Sequence, residues 1–116
     1  MPPRSASAYA QGMARCTHLD QVQAVTPSTM EGCTDCLAIG GTWVHLRMCL
    51  TCGHVGCCDS SPSRHASRHA AAHGHPLVNS FEPGEEWSWC YVDEVALTLE
   101  GIPHPHRLPY SAERGV

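Results

Sequence analysis

A chain of 116 residues with a formal charge of −4 and no lysine has room for one small domain and offers no basic face to nucleic acid. One Phe, three Trp and three Tyr against nine Pro and ten Gly make a thin core, of the kind that needs a metal or disulfide staple. No apolar run reaches the length of a membrane span, and eight cysteines beside nine histidines turn the staple toward metal.

Residues 1–14 (MPPRSASAYAQGMA) are small, polar and aperiodic, and are expected to form a disordered tail. They carry one arginine and no apolar h-region, so no signal peptide is expected and the compartment is read as a reducing cytoplasm. In that setting paired Cys-x-x-Cys means zinc rather than disulfides. A redox dithiol is the rival, and it wants a βαβ setting that these pairs lack.

Cys16-Thr17-His18 is a close Cys-x-His pair suited to one ion, and Cys33-Thr34-Asp35-Cys36 is a first Cys-x-x-Cys ahead of a Gly40-Gly41 turn. Thr42 to Met48 alternates as a strand would, with Trp43, His45 and Arg47 on one face and Val44, Leu46 and Met48 on the other. Cys49-Leu50-Thr51-Cys52-Gly53 has the form of a zinc knuckle. Its thiolates, three apart, can close on one ion, and the glycine can turn with positive φ so that amide hydrogens face the sulfurs. A short strand at His54–Gly56 completes a hairpin.

Ser60-Ser61-Pro62-Ser63 offers capping and first-turn residues, so a helix is predicted from about Pro62 to about His73, stopped by Gly74. His65 and His69, four apart, then share a helix face. Strands are predicted at Leu77–Phe81 and at Trp87–Val92, where Trp87, Trp89 and Tyr91 point one way and Ser88, Cys90 and Val92 the other. Val95–Leu99 reads equally as strand or short helix. The Pro/His-rich residues 101–116 read as a second tail, leaving residues 15–100 as the domain.

The ordered set Cys-x-His, Cys-x-x-Cys, Cys-x-x-Cys-Gly-x-x-Gly-Cys, His-x3-His-x5-His-Pro-Leu and Trp-Cys-Tyr, over about residues 16 to 94, resembles the ubiquitin-specific-protease-type zinc finger. That module also occurs at the end of a cytoplasmic histone deacetylase and in stand-alone bacterial proteins. The resemblance implies an α+β fold: a small zinc-stabilised antiparallel sheet with one main helix and room for a second short one. It implies two or three zinc ions, with three favoured. Cys33, Cys36, Cys57 and His65 would hold the first, and Cys49, Cys52, His69 and His75 the second. Cys16, His18 and Cys90 would supply three ligands of the third. Spacing alone identifies this ligand pool without assigning His65 and His69 to different ions. Where three-zinc members have a further cysteine, this chain has Asp93, whose carboxylate is a competent zinc ligand and the expected fourth partner. Glu94 is the weaker candidate for that role.

Members of the family take the free carboxyl end of ubiquitin in an aromatic slot with an arginine. Asp59 stands here at the arginine's place, and Arg47 where a tryptophan is usual. The resemblance thus implies a non-catalytic protein-interaction module, with Trp43, Arg47, Trp89 and Tyr91 as its partner-binding face and Arg47 as a relocated cation. The partner expected is a protein tail of ubiquitin-like type, bound by a monomer, with no nucleic acid or membrane. Two alternatives stay open at this point: a structural or regulatory zinc domain without a tail pocket, and a thiol or zinc enzyme using Cys58 or an open zinc. His45, His54 and His73 have no assigned role, although His73 is placed to exchange with His69 or His75.

Overall fold

The structure, a computed structural model, describes residues 16–108. The amino-terminal tail expected at residues 1–14 lies outside the described residues, as does the segment 109–116.

Among the described residues five short strands form one antiparallel sheet: β1 (Leu46–Cys49), β2 (Val55–Cys57), β3 (Leu77–Ser80), β4 (Ser88–Cys90) and β5 (Val95–Leu97). Their order across the sheet is β2-β1-β3-β4-β5. Two helices accompany it, the short α1 (Thr34–Ile39) and the longer α2 (His65–His73), with a 3-10 turn at Leu19–Gln21. The domain is therefore the expected small α+β unit, and Val95–Leu97 resolves as strand because it pairs with β4, Ala96 opposite Trp89.

Local chemistry explains the element ends. The knuckle turns at Gly53 with φ 85°, and a Cβ there would lie 2.1 Å from the Thr26 carbonyl oxygen, so only glycine fits. In α1, Cys33 is the N-cap, its sulfur accepting from the Cys36 N–H. Two elements start three or more residues later than the sequence predicts. β1 begins at Leu46, not Thr42, because the Val44 N–H is taken by the Ser61 hydroxyl at 2.9 Å rather than by a neighbouring strand. That same bond removes Ser61 from helix capping. Arg64 then sits in the left-handed region (φ 50°, ψ 47°), so α2 starts at His65 rather than near Pro62. The His65 N–H points at the Cys57 sulfur, 3.2 Å away, which occupies the place of a capping oxygen.

The strand register sorts the side chains. Leu46, Met48, Leu77 and Leu97 are buried in the core with Trp43 and Phe81, and Leu19, Val22, Val25 and Ile102 pack against its margin. Arg47 lies opposite Ser80, and Val78, two residues along, lies opposite Trp89. Arg47, Val78 and Trp89 thus share the other face, and Tyr91, in the turn after β4, lies close enough to Arg47 to feel its charge. Helix α2 packs tightly there: a Cβ at Gly56, which pairs with Arg47, would fall 2.8 Å from the Ala66 nitrogen.

Residues 101–108, read from composition as tail, are bound to the domain. The Arg107 N–H donates to the Phe81 carbonyl at 2.8 Å and the Leu108 N–H to the Met30 carbonyl at 2.9 Å. The cause is Glu82, a buried carboxylate that accepts from the Leu46 N–H at 2.9 Å and needs a cation, which Arg107 supplies at 2.8 Å. Among the described residues no helix is long and apolar enough to cross a membrane.

Candidate metal centres

Helix α1, strand β2 and the first turn of α2 converge on one point. Cys33 and Cys36 arrive from the start of α1, Cys57 from the end of β2, and His65 from the start of α2. His65 Nδ1 stands 3.3 Å, 3.4 Å and 3.5 Å from the sulfurs of Cys33, Cys36 and Cys57, and the last two sulfurs are 3.9 Å apart. All three thiols are buried.

The knuckle brings Cys49 and Cys52 to a second point, met by His69 from the middle of α2 and His75 just past its end. Cys49 Sγ lies 3.6 Å from His75 Nδ1, and Cys52 Sγ lies 3.3 Å from His69 Nε2. His65 and His69, one helical turn apart, therefore belong to different clusters. Spacing could not separate them; the packing of α2 across β2 and β1 does. His54 stacks on the His69 ring at 4.4 Å and is held by Asp35 at 2.8 Å, so a residue of α1 orients a donor of the neighbouring cluster. His73 lies beside His69 with ring centres 4.5 Å apart, outside the four-donor group. No sequence signal marked the Asp35–His54 pair.

The third cluster joins Cys16 and His18, before the 3-10 turn, to Cys90 at the end of β4 and Asp93 in the β4–β5 turn. His18 Nδ1 is 3.1 Å from Asp93 Oδ2, 3.5 Å from Cys90 Sγ and 3.8 Å from Cys16 Sγ. Asp93 Oδ2 also accepts from the Thr17 N–H at 2.8 Å and the Thr17 hydroxyl at 3.2 Å. Those two bonds aim the carboxylate at the thiols, and the backbone N–H first among them holds its pKa below the usual carboxylate value. Glu94, the weaker candidate, is exposed, adopts a left-handed φ of 56° and is absent from the group.

Geometry tests the fit to zinc directly. Bonds of about 2.3 Å to sulfur and about 2.0 Å to nitrogen or oxygen at tetrahedral angles imply edges of roughly 3.8 Å (S–S), roughly 3.5 Å (S–N) and roughly 3.3 Å (N–O). The donor pairs in hydrogen-bond contact are 3.1 Å to 3.9 Å apart, around these edges, and all four donors of each cluster lie within 4.8 Å of one another. Four donors per cluster, with thiolate and imidazole dominant, suit zinc and leave no vacant protein position. Each cluster also has backbone N–H groups on sulfur, such as His18 on Cys16 at 3.2 Å and Thr51 on Cys49 at 3.4 Å. The knuckle's expected amide-to-sulfur contacts are thus present.

The thiols crowd one another, and burial and mutual contact shift their titration. The pairing of the Cys33 and Cys57 thiols raises the first and lowers the second to about 5. Burial pushes the Cys16 thiol up to about 12 and also raises Cys36 and Cys49. Burial, with the neighbouring His54, His73 and His75, takes His69 down to about 4, keeping it neutral and ready to ligate. A divalent ion reverses the thiol shifts, because thiolate is the form it binds.

The remaining cysteine, Cys58, is buried, joins no cluster, and lies with its sulfur 3.5 Å from the Ser61 hydroxyl. It fills the core edge. His45 is exposed.

The expected partner-binding face is redrawn. Trp43 is 3 % exposed, with its ring against Gly32, where a Cβ would meet it at 2.5 Å. It does not share the Arg47 face, because the strand period from which that was read begins only at Leu46. Arg47 and Trp89 share a face, Tyr91 follows in the turn after β4, and all three are half-buried. Trp87 belongs with them: the Arg47 guanidinium stacks over its ring at 4.6 Å. Trp87 sits in the same alternating set as Trp89 and Tyr91, which was the signal for it. Tyr91 has its pKa raised chiefly by burial, with the nearby charge of Asp59 adding to the shift.

A family model described as a zinc finger in ubiquitin hydrolases and other proteins matches residues 33–100. The solution NMR structure of protein RPA1320 from Rhodopseudomonas palustris is 51 % identical, covering 85 % of this chain and 97 % of its own, with a TM-score of 0.72. No curated protein matches the chain.

Proposed function

The chain belongs to the family of zinc fingers found in ubiquitin hydrolases and other proteins, and from that premise we propose that it is a zinc-built, non-catalytic module that binds a protein tail. In this reading one zinc is held by Cys33, Cys36, Cys57 and His65, a second by Cys49, Cys52, His69 and His75, and a third by Cys16, His18, Cys90 and Asp93. Four protein donors per ion argue against an open catalytic metal, and the burial of Cys58 argues against a reactive thiol.

The tail would lie across Arg47, Trp89 and Tyr91. The observation that supports this is the register, with Arg47 opposite Ser80 and Trp89 opposite Val78, which gives a cation and a half-buried aromatic a common face, with Tyr91 close enough to Arg47 to feel its charge. Stacking on Trp87 steadies the guanidinium, and one of its N–H groups donates to the Leu46 carbonyl at 2.9 Å. The fork's other donors are suited to a terminal carboxylate, while flat aromatic walls favour a slim glycine backbone. The second reading, a structural zinc domain without tail binding, draws support from Asp59, an exposed acid close enough to Tyr91 to raise its pKa. An acid there opposes a carboxylate.

An NMR titration of the zinc-loaded protein with a peptide ending in free Leu-Arg-Gly-Gly, beside its amidated twin, separates the two. Shifts at Arg47, Trp89 and Tyr91 with the free acid alone are expected. Absence of shifts with both peptides refutes tail binding and leaves the structural reading.

A further inference from the structure

We propose that the Cys16/His18/Cys90/Asp93 cluster is an exchangeable zinc clasp, which releases its ion before the other two clusters while the sheet stays folded. The proposal rests on the reading above that each cluster holds zinc.

Three observations on the molecule carry it. The first is the donor set: this is the one cluster of the three with an oxygen ligand. A carboxylate is a harder donor than thiolate and grips zinc less firmly than the cysteine or histidine that fills the corresponding place in the other clusters. The second is connectivity. The other two clusters are interlocked, since α2 supplies His65 to one and His69 to the other, and the Asp35–His54 pair stacks α1 onto His69. Neither of those ions can leave without loosening the helix that serves both. The Asp93 cluster shares no ligand-bearing element with them.

The third is what remains when its ion departs. Downstream of His18 the amino-terminal segment is fastened independently: the Gln23 N–H to the Leu50 carbonyl, the Thr51 hydroxyl to the Gln21 carbonyl and the Ser28 N–H to the Gly53 carbonyl, each at 2.9 Å. Opening is therefore confined to residues 16–20 and to the β4–β5 turn. There the Thr17 N–H loses Asp93 and the His18 N–H loses an ordered thiolate.

Native mass spectrometry of the full zinc-loaded chain during challenge with EDTA tests this, with amide exchange followed by NMR in parallel. Three ions are expected at the outset. One should leave at least tenfold faster than the rest, giving a two-ion species in which the Thr17, His18 and Glu94 amides exchange quickly. The Ser28 and Leu50 amides should stay protected in that species. Asp93→Cys should abolish the early release, and Asp93→Asn should yield a folded chain that holds two ions from the start. Three ions leaving in one phase, or an early release that opens His65 and the start of α2, overturns the proposal. A wild-type chain holding only two ions at the outset overturns it differently, by removing the zinc assignment of this cluster.

Discussion

Gly56→Ala probes the joint on which two of the metal clusters depend. The added methyl would meet the Ala66 nitrogen at 2.8 Å, the Ala66 Cα at 2.9 Å and the His65 carbonyl carbon at 3.1 Å. All three are backbone atoms, so no rotamer change relieves the clash, and α2 itself must move off β2. The helix is not free to slide, because His65 and His69 are fixed in different clusters. Overpacking of this kind costs roughly 1–3 kcal/mol. At about 4–8 °C per kcal/mol for a domain of this size, the zinc-saturated Tm should fall by roughly 5–20 °C. Thermal circular dichroism in excess zinc reads the stability, and competition with a chromophoric chelator reads the metal affinity. Both should weaken together, with the His65 ion lost more readily than in the wild type. A Tm and a chelator midpoint indistinguishable from wild type would refute the coupling of helix packing to metal binding.

Other outcomes follow from the same geometry. Glu82→Ala leaves the buried Leu46 N–H without its acceptor and Arg107 without its carboxylate, and should cost about 2 kcal/mol or more in urea unfolding of the zinc-saturated protein. Zinc binding should release protons, since cysteine is a protonated thiol at neutral pH in the chelated, unfolded chain and ligates as thiolate. The sign is that affinity rises with pH up to the thiol pKa values and falls on acidification; calorimetry in buffers of different ionisation enthalpy counts the protons. Asp59→Arg should strengthen binding of the free-acid peptide about tenfold by placing a cation beside Tyr91, leaving the amidated twin unchanged. Arg47→Ala should abolish the free-acid response while the amide spectrum of the sheet persists.

The metal clusters were legible because ligation is written in spacing: Cys-x-x-Cys pairs, a turn-enabling glycine, and histidines one helical turn apart. Their partition was not, since it depends on how α2 crosses the sheet, and the family resemblance supplied it. Strand alternation was read correctly at Ser88–Cys90, where pairing with β3 and β5 enforces period two, but the strand is shorter than the expected Trp87–Val92 and Tyr91 already lies in the turn that follows. It misled at Trp43, where the Ser61 hydroxyl takes the Val44 N–H and the chain bends before the sheet begins. The same long-range bond displaced the start of α2. Local signals cannot report such competition. Residues 101–108 looked like tail because Pro and His carry no periodicity; what binds them is one buried carboxylate, Glu82, sited in a turn where acids are ordinarily solvated.

Structural zinc contributes on the order of 10 kcal/mol to the folding of small domains at neutral pH, and these thin layers have little else to hold them. Complete chelation, monitored by the near-UV signal of the tryptophans and by amide dispersion, therefore tests the zinc-built fold most directly. Loss of both signals, and their return on adding zinc back, is the expected result. A metal-free chain that keeps its near-UV signal and its dispersed amides would contradict it.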